Sequence, residues 1–331
     1  MIDKSRSPAA PTAHGGRIDL AAARFPDAPL PWIDLSTGIN PHAWDARGVD
    51  LDWGPLPDVS ALAALEAAAR VAFGMVAGEI AALPGTEIGL RLLHDLGLPQ
   101  PARYVAPSYS THAEALPGAT PVGIEDLGGG GTLLIANPNN PDGRILPPEH
   151  LIEVARALGR SGGWLVVDEA FADVDPAISV LPHLTEDDPV LVFRSFGKFF
   201  GLAGLRLGFV CGPRAMIARF RERLGSWPVS SAAIAIGTAA YRDTRWITAT
   251  RSALAASAER LDTLLRAEGL EPQGGCPLFR LVQSDAAPAL FDRLAAAGIL
   301  TRPFDHDPRW LRFGLPGDEA AWTRLTEALR G

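Results

Sequence analysis

The chain has 331 residues, a net charge of −8, 47% hydrophobic residues and 21% charged residues. This composition excludes a disordered chain, and the negative net charge argues against a nucleic-acid-binding protein. Two cysteines exclude a disulfide framework and a cysteine-rich zinc cluster, and we predict no metal site. No apolar run is long enough to span a membrane, and residues 1–16 lack the apolar core of a signal peptide, so we expect a cytoplasmic protein.

Residues 1–30 are rich in alanine, proline and glycine and are predicted to form an N-terminal arm. From Ser60 onward, short apolar runs alternate with helical patterns. These runs are continuously apolar, as in strands buried on both faces of a mostly parallel sheet, and their alternation with helices predicts an α/β domain. The predicted strands begin at Arg103, Thr132, Trp164, Val190 and Leu207.

The second half of the chain has a different pattern. Residues 214–268 are predicted to form long alanine-rich helices, and the tail to contain strands at 278–282, 299–301 and 310–313 before a final helix. We therefore predict a smaller α+β domain. The expected organisation is an arm at 1–30, a large domain at 31–225 and a small domain at 226–331.

Lysine is nearly absent from this chain. Of 30 basic residues, only Lys4 and Lys198 are lysines. Arginine stays protonated and cannot act as an amine nucleophile, whereas a lysine amine can bond covalently to a carbonyl group. Lys198 is therefore a candidate for chemistry that only an amine performs, and the alternative is a remaining surface lysine.

Polar residues follow several predicted strands, where ligands bind in an open parallel sheet. Taken singly, these clusters fit ordinary helix caps and turns. A carboxylate directly after three buried apolar residues, as at Asp168, is costly unless it is paired. Their joint occurrence in one order points to a single site. The other residues in these clusters are Gly85, Thr86, Asn140, Ser195, Lys198 and Arg206.

The motifs Asn140-Pro-Asp-Gly, Asp168-Glu-Ala-Phe and Ser195-Phe-Gly-Lys, together with Arg206, resemble the fold type I pyridoxal-phosphate enzymes, specifically the class I and II aminotransferases. The resemblance implies an α/β fold with a large, mostly parallel sheet between helices and a small α+β domain. It is closer still to the threonine-phosphate decarboxylases of cobalamin biosynthesis. His14-Gly-Gly and residues 34–41, Asp-Leu-Ser-Thr-Gly-Ile-Asn-Pro, carry that closer likeness.

The resemblance implies pyridoxal 5′-phosphate as the cofactor. Lys198 would bind its aldehyde, and Asp168 would pair with its ring nitrogen and keep the ring an electron sink. Asn140 would donate to its phenolic oxygen, Tyr109 would stack on its ring, and His112 would support Asp168. The residues implied for its phosphate are Gly85, Thr86, Ser195 and Arg206.

The resemblance also implies a small phosphorylated amino acid as substrate and a homodimer as the assembly. Arg312 would bind the substrate carboxylate, and Arg302 its phosphate. His14 and Asn40 would join Arg302. The implied reaction is decarboxylation of L-threonine O-3-phosphate.

Three positions depart from the related enzymes. Phe171 stands where many aminotransferases have a tyrosine that donates to the cofactor, and Leu56 replaces a tyrosine that reaches the partner subunit's cofactor. Leu315-Pro316 stands where related enzymes have a second arginine. An aminotransferase of the histidinol-phosphate type and a non-catalytic binding protein remain alternatives.

Overall fold

The computed structural model describes residues 15–331, which form two compact units. One unit comprises residues 43–252, and the other comprises residues 15–42 together with 253–331. No helix in this described part of the chain combines the length and hydropathy needed to cross a membrane.

The strands are numbered in chain order. They are β1 Ile33–Asp34, β2 Glu79–Leu83, β3 Ala102–Val105, β4 Thr120–Val122, β5 Thr132–Ala136, β6 Trp164–Asp168, β7 Val190–Ser195, β8 Gly208–Gly212, β9 Pro272–Gln273, β10 Phe279–Gln283, β11 Ile299–Leu300, β12 Arg302–Pro303 and β13 Trp310–Gly314.

The helices are numbered in the same way. They are α1 Ile18–Arg24, α2 Val59–Ala72, α3 Thr86–Leu92, α4 His112–Ala115, α5 Pro148–Gly159, α6 Phe196–Phe199, α7 Arg214–Leu224, α8 Ser231–Arg242, α9 Thr244–Ala267, α10 Ala287–Ala296 and α11 Glu319–Arg330. Short 3-10 turns occur between several of them.

The unit of residues 43–252 contains a sheet in the order β2-β8-β7-β6-β5-β3-β4, seven strands among the described residues. All neighbours are parallel except β8, which runs antiparallel to both β2 and β7. Every residue of β5 and β7 is buried, which agrees with the continuous apolar runs in the sequence. The predicted α/β fold with a mostly parallel sheet is confirmed.

Helix α2 is capped at its start by Asp58. The carboxylate of Asp58 accepts from the backbone N–H groups of Ser60 at 2.6 Å and Ala61 at 3.4 Å, which satisfies two donors that a helix start leaves without partners. The apolar face of this helix buries Leu65 and Ala69.

The other unit contains a smaller antiparallel sheet in the order β12-β13-β10-β9, as its described residues show. Helix α10 buries Leu290 and Leu294, and α11 buries Trp322 and Leu325. Strand β1 pairs in parallel with β11, so residues 33–34 belong to this unit although they lie early in the chain.

The compact units are divided differently from the predicted domains. Residues 226–252 belong to the larger unit, because Tyr241 of α8 packs edge-on against Phe73 and Phe209 with ring centroids at 5.4 and 5.7 Å. Residues 31–42 belong to the smaller unit through the pairing of β1. Residues 1–14 of the predicted arm lie outside the described residues, and residues 15–30 belong to the smaller unit and contain α1.

Candidate active site

The antiparallel strand β8 brings three polar segments of the larger unit to one edge of the sheet. Its first residue, Gly208, is in register with Leu83 at the end of β2 and with Ser195 at the end of β7. The turn after β2 and the helix after β7 therefore start next to each other. This register explains why segments more than a hundred residues apart in sequence belong to one site.

Gly85 and Arg206 form a tight cradle at this edge. Gly85 has φ +89°, and a Cβ added there would lie 2.6 Å from Nη2 of Arg206, so only glycine allows the guanidinium to approach this turn. A Cβ on Gly208 would lie 2.8 Å from the backbone nitrogen of Thr86. Arg206 itself has φ 54° and donates from Nη1 to the carbonyl of Ala203 at 3.1 Å. The cradle combines a guanidinium, a hydroxyl and a turn, which suits an anion such as a phosphate.

Asp168 ends β6 and is buried beneath this edge. Its Oδ2 lies 3.0 Å from Nε2 of His112, which is fully buried, and its Oδ1 accepts from the backbone N–H of Ala170 at 3.0 Å. The two side chains thus form a buried pair within hydrogen-bond distance. The predicted support of Asp168 by His112 is therefore present in the geometry.

Lys198 lies on the one-turn helix α6, directly after the end of β7. Its Nζ is 6.0 Å from the ring centroid of Phe171, three residues after Asp168. Ser195 precedes the same helix and is buried. The short distance along the chain from Ser195 to Lys198 keeps a hydroxyl and an amine at the same sheet edge.

The turn that carries Asn140 is built by two other asparagines. Asn137 Nδ2 donates to the carbonyl groups of Leu146 and Ile178 at 3.1 and 3.2 Å. Asn139 Nδ2 donates to the carbonyl of Pro107 at 3.0 Å. These bonds hold the Asn140 turn against the loop that follows β3.

Tyr109 lies on that loop, and its hydroxyl has a partner that sequence reasoning missed. It donates to Oε2 of Glu87 at 2.9 Å, and Thr111 Oγ1 donates to the same oxygen at 2.8 Å. Burial and the negative charge of Glu87 raise the pKa of Tyr109 to about 12. Glu87 directly follows Thr86, and no motif marks it, because its role depends on where a loop twenty residues later lies.

A buried ion cluster behind the site was also missed. Arg194, directly before Ser195, donates from Nη1 to Glu169 at 3.1 Å and from Nη2 to Asp173. Its guanidinium carbon also lies 4.3 Å from the ring centroid of Phe73. Glu169 further accepts from the Ser179 hydroxyl and the Val180 backbone N–H at 2.6 and 2.7 Å. This network fixes the residues next to Asp168 and Ser195.

Arg302 and Arg312 lie in the smaller unit, opposite each other in the β12–β13 pair. Arg312 is buried, donates from Nη2 to the carbonyl of Ser36 at 2.8 Å, and has its guanidinium carbon 4.9 Å and 5.9 Å from the ring centroids of Phe279 and Phe304. Burial, and then the positive charge of Arg302, lower the pKa of Arg312 to about 10. Like charges directly opposite on paired strands repel, so this face favours an anionic ligand.

Asn40 belongs to the same unit and is buried, with its Oδ1 accepting from the backbone N–H of His42 at 2.9 Å. His14, the remaining predicted substrate residue, lies outside the described residues. The structure thus gathers the predicted cofactor residues in one unit and the described substrate residues in the other.

Comparison with known proteins supports the sequence interpretation. Residues 124–329 match the family model for aminotransferase class I and II. The chain belongs to the class I and II aminotransferase family. The chain is 41% identical over 97% of its length to the threonine-phosphate decarboxylase of a Sinorhizobium species, and it covers 98% of that protein. It is 40% identical to the threonine-phosphate decarboxylase of Pseudomonas aeruginosa, over 96% of this chain and 97% of that one.

A solved structure shares the fold of this chain. The histidinol-phosphate aminotransferase of Sinorhizobium meliloti, in complex with pyridoxal-5′-phosphate, matches with a TM-score of 0.79 and 21% identity, covering 98% of each chain. The predicted family is confirmed, while the individual site residues stay predictions.

Proposed function

We propose that the protein is a pyridoxal-phosphate-dependent decarboxylase that converts L-threonine O-3-phosphate to (R)-1-aminopropan-2-yl phosphate in cobalamin biosynthesis. The observation that carries this proposal is the 41% identity, over nearly the full length, to a threonine-phosphate decarboxylase. The sheet edge of residues 43–252 supports it with an amine, a buried carboxylate and an anion cradle.

The cradle fits the phosphate of this cofactor. Gly85 leaves the space that a Cβ would fill, and the Arg206 guanidinium reaches into it. Guanidinium groups bind phosphate oxygens in a bidentate manner. We assign the cofactor phosphate to the cradle residues Gly85, Thr86, Ser195 and Arg206.

Asp168 fits the nitrogen of a pyridine ring. A buried carboxylate is costly without a positive partner, and Asp168 is buried at the end of β6 with its oxygens bonded to His112 and to the backbone N–H of Ala170. We assign Asp168 to the ring nitrogen, Asn140 to the phenolic oxygen and Lys198 to the aldehyde carbon, with Tyr109 against the ring face.

The bound cofactor supplies an electron sink that lets the bond between Cα and the carboxylate break with loss of CO2. The chain must then return one proton to Cα, since the product carries hydrogen where the substrate carried the carboxylate. We assign this proton transfer to Nζ of Lys198, the lysine at the sheet edge. Buried Phe171 replaces a hydroxyl donor with an apolar ring next to that amine.

The face of Arg302 and Arg312 fits a substrate with two anionic groups. Threonine phosphate carries a carboxylate and a phosphate, and two guanidinium groups that repel each other are both stabilised when anions bind. We assign the carboxylate to Arg312 and the phosphate to Arg302, with Asn40 and His14 as further phosphate ligands.

We also propose a homodimer in the cytoplasm. Several large apolar side chains of the larger unit are exposed, and such side chains mark interaction surfaces when they group together. Leu56, the position where related enzymes have a tyrosine, is 65% exposed. The other exposed large apolar residues of this unit are Trp53, Val59, Val71, Val76, Ile88 and Trp227. Light scattering of the purified protein tests the dimer.

A product assay tests the reaction. Purified protein with added pyridoxal 5′-phosphate is expected to release CO2 from threonine phosphate without any 2-oxo acid. A requirement for 2-oxoglutarate, with formation of glutamate, would instead identify an aminotransferase, and histidinol phosphate is then the first substrate to try. A protein that does not bind the cofactor at all would support the non-catalytic alternative.

A further inference from the structure

Glu87 is the residue at the candidate site for which neither the motifs nor the proposed roles account. It lies on the first turn of α3, next to Thr86 of the phosphate cradle. Its two carboxylate oxygens are both occupied. Oε2 accepts from the hydroxyls of Tyr109 and Thr111, and Oε1 accepts from Nε of Arg91 at 2.7 Å.

The loop from Pro107 to His112 is held at three places. The carbonyl of Pro107 accepts from Asn139, the His112 ring bonds to Asp168, and Tyr109 and Thr111 both bond to Glu87. The first two contacts fix the ends of the loop. The contact to Glu87 fixes the side chain in its middle, which is Tyr109.

The Tyr109 ring is thereby placed with respect to Asp168. It packs edge-on against the ring of His112, with centroids 5.9 Å apart and an interplanar angle of 86°, and His112 bonds to Asp168 at 3.0 Å. A tyrosine held at its hydroxyl end and along its ring has few rotamers left. Its face is therefore set before any ligand arrives, which reduces the entropy lost on binding.

The bond between Tyr109 and Glu87 is charge-assisted, because Glu87 is ionised. Burial acts to raise the pKa of Glu87, but hydrogen bonds from Thr111, Tyr109 and Arg91 outweigh it and hold the pKa below its usual value. Hydrogen bonds to charged groups are stronger than neutral ones. The carboxylate is thus a firm anchor at neutral pH.

We propose that Glu87 is a positioning residue for the cofactor ring, acting by fixing the stacking face of Tyr109. This inference rests on the proposed function, because it needs a planar ring to bind next to Asp168. Through its neighbour Thr86, Glu87 also connects the ring-stacking loop to the phosphate cradle.

Four variants separate this role from simple stabilisation. Glu87→Ala removes the acceptor, and Tyr109→Phe removes the donor but keeps the ring. The double variant tests whether the two act as a unit. Arg91→Gln is the matched control, because it removes a half-exposed partner of Glu87 and leaves the bond to Tyr109 in place.

The first measurement needs no cofactor. The chain has three tyrosines, so an ultraviolet titration of the protein without cofactor can follow Tyr109 by difference from Tyr109→Phe. Glu87→Ala is expected to lower the Tyr109 pKa from about 12, and Arg91→Gln is not. An unchanged Tyr109 pKa in Glu87→Ala would overturn the inference.

The second measurement uses bound pyridoxal 5′-phosphate. Glu87→Ala and Tyr109→Phe are each expected to weaken cofactor binding roughly tenfold, about one hydrogen bond to a charged group, and to change its induced circular dichroism alike. The double variant should be no worse than either single one. The inference would be overturned if the losses of cofactor affinity in the two single variants multiply in the double variant. It would also be overturned if the variants have a lower melting temperature but keep the wild-type circular dichroism of the bound cofactor. If the wild-type protein binds no cofactor, the proposed function fails, while the tyrosine titration still tests the contact.

Discussion

Both sheets of this protein bury arginine side chains, and the surroundings of Arg194 in the large sheet differ from those of Arg312 in the small sheet. Arg194 in the large sheet bonds to the carboxylates of Glu169 and Asp173. Arg312 in the small sheet lies opposite Arg302, another cation. A cation matched by carboxylates within the fold needs no ligand, whereas two cations that face each other are stabilised by an anion. We therefore interpret Arg194 as structural and Arg312 as ligand-binding.

Within the larger unit, substitutions of Lys198 and Arg194 are expected to differ most, because the first affects turnover and the second affects stability. Lys198→Ala is expected to lower turnover of threonine phosphate about a thousandfold or more, because both the covalent partner and the proton donor are lost. The melting temperature of the protein without cofactor should change less than in a variant of Arg194, since Lys198→Ala keeps the bonds of Arg194 to Glu169 and Asp173. Steady-state assays and calorimetry check both parts. A variant that keeps its activity would remove Lys198 from the chemistry.

Arg194→Met is expected to act in the opposite way, on stability. It leaves Glu169 and Asp173 buried without their cation, which costs about 3–5 kcal/mol of unfolding free energy. Arg47→Gln is the control, because Arg47 pairs with Asp45 and both side chains are exposed, and such pairs contribute about 1 kcal/mol or less. Urea denaturation measures both. Equal losses of unfolding free energy in the two variants would show that burial does not make the Arg194 cluster more stabilising than an exposed ion pair.

The two sheets also differ in how much the sequence predicts about their polar residues. The apolar run before Asp168 predicts a buried strand and a carboxylate at its end, and both are present. The pairing of Arg302 with Arg312 cannot be read in the same way, because it depends on the register of two strands in the folded sheet.

The residues that sequence reasoning missed share one property. Glu87 meets Tyr109 from 22 positions away, and Arg194 meets Asp173 from 21 positions away. Local patterns such as strand runs and turn motifs do not encode these contacts, since tertiary packing of loops decides them. Lys198 can be predicted because its amine chemistry is visible at a single position, whereas the role of Gly85 follows from the family resemblance.

The small sheet is tested by removing one of its two cations. Arg302→Gln is expected to raise the KM for threonine phosphate about tenfold, through loss of one charge-assisted contact, and to affect unphosphorylated threonine less. Stability without ligand should fall less than in Arg194→Met, because the repulsion with Arg312 is relieved. Arg309→Gln serves as control, since Arg309 pairs with Asp307 on the exposed turn before β13. If Arg302→Gln lowers stability and leaves the KM unchanged, Arg302 has a structural role and does not bind the substrate.

The smallest expected effect is a pH dependence in the large unit. Burial raises the pKa of Tyr109 from 10 to about 12, so between these values the folded chain keeps a proton that the unfolded chain has lost. Stability is therefore full below pH 10 and falls as the pH rises toward 12. Tyr109→Phe should reduce this fall in denaturation curves across that range. A parallel decline in both proteins would show that Tyr109 contributes nothing to it.

The central claim is that the amine of Lys198 holds an aldehyde cofactor at the edge of the large sheet. The chain allows a direct test, because it has only two lysines, Lys4 and Lys198. Protein loaded with pyridoxal 5′-phosphate is reduced with borohydride, digested and examined by mass spectrometry. The account predicts the phosphopyridoxyl mass on the peptide that contains Lys198. Label on Lys4 alone, or no label on either lysine, would contradict it.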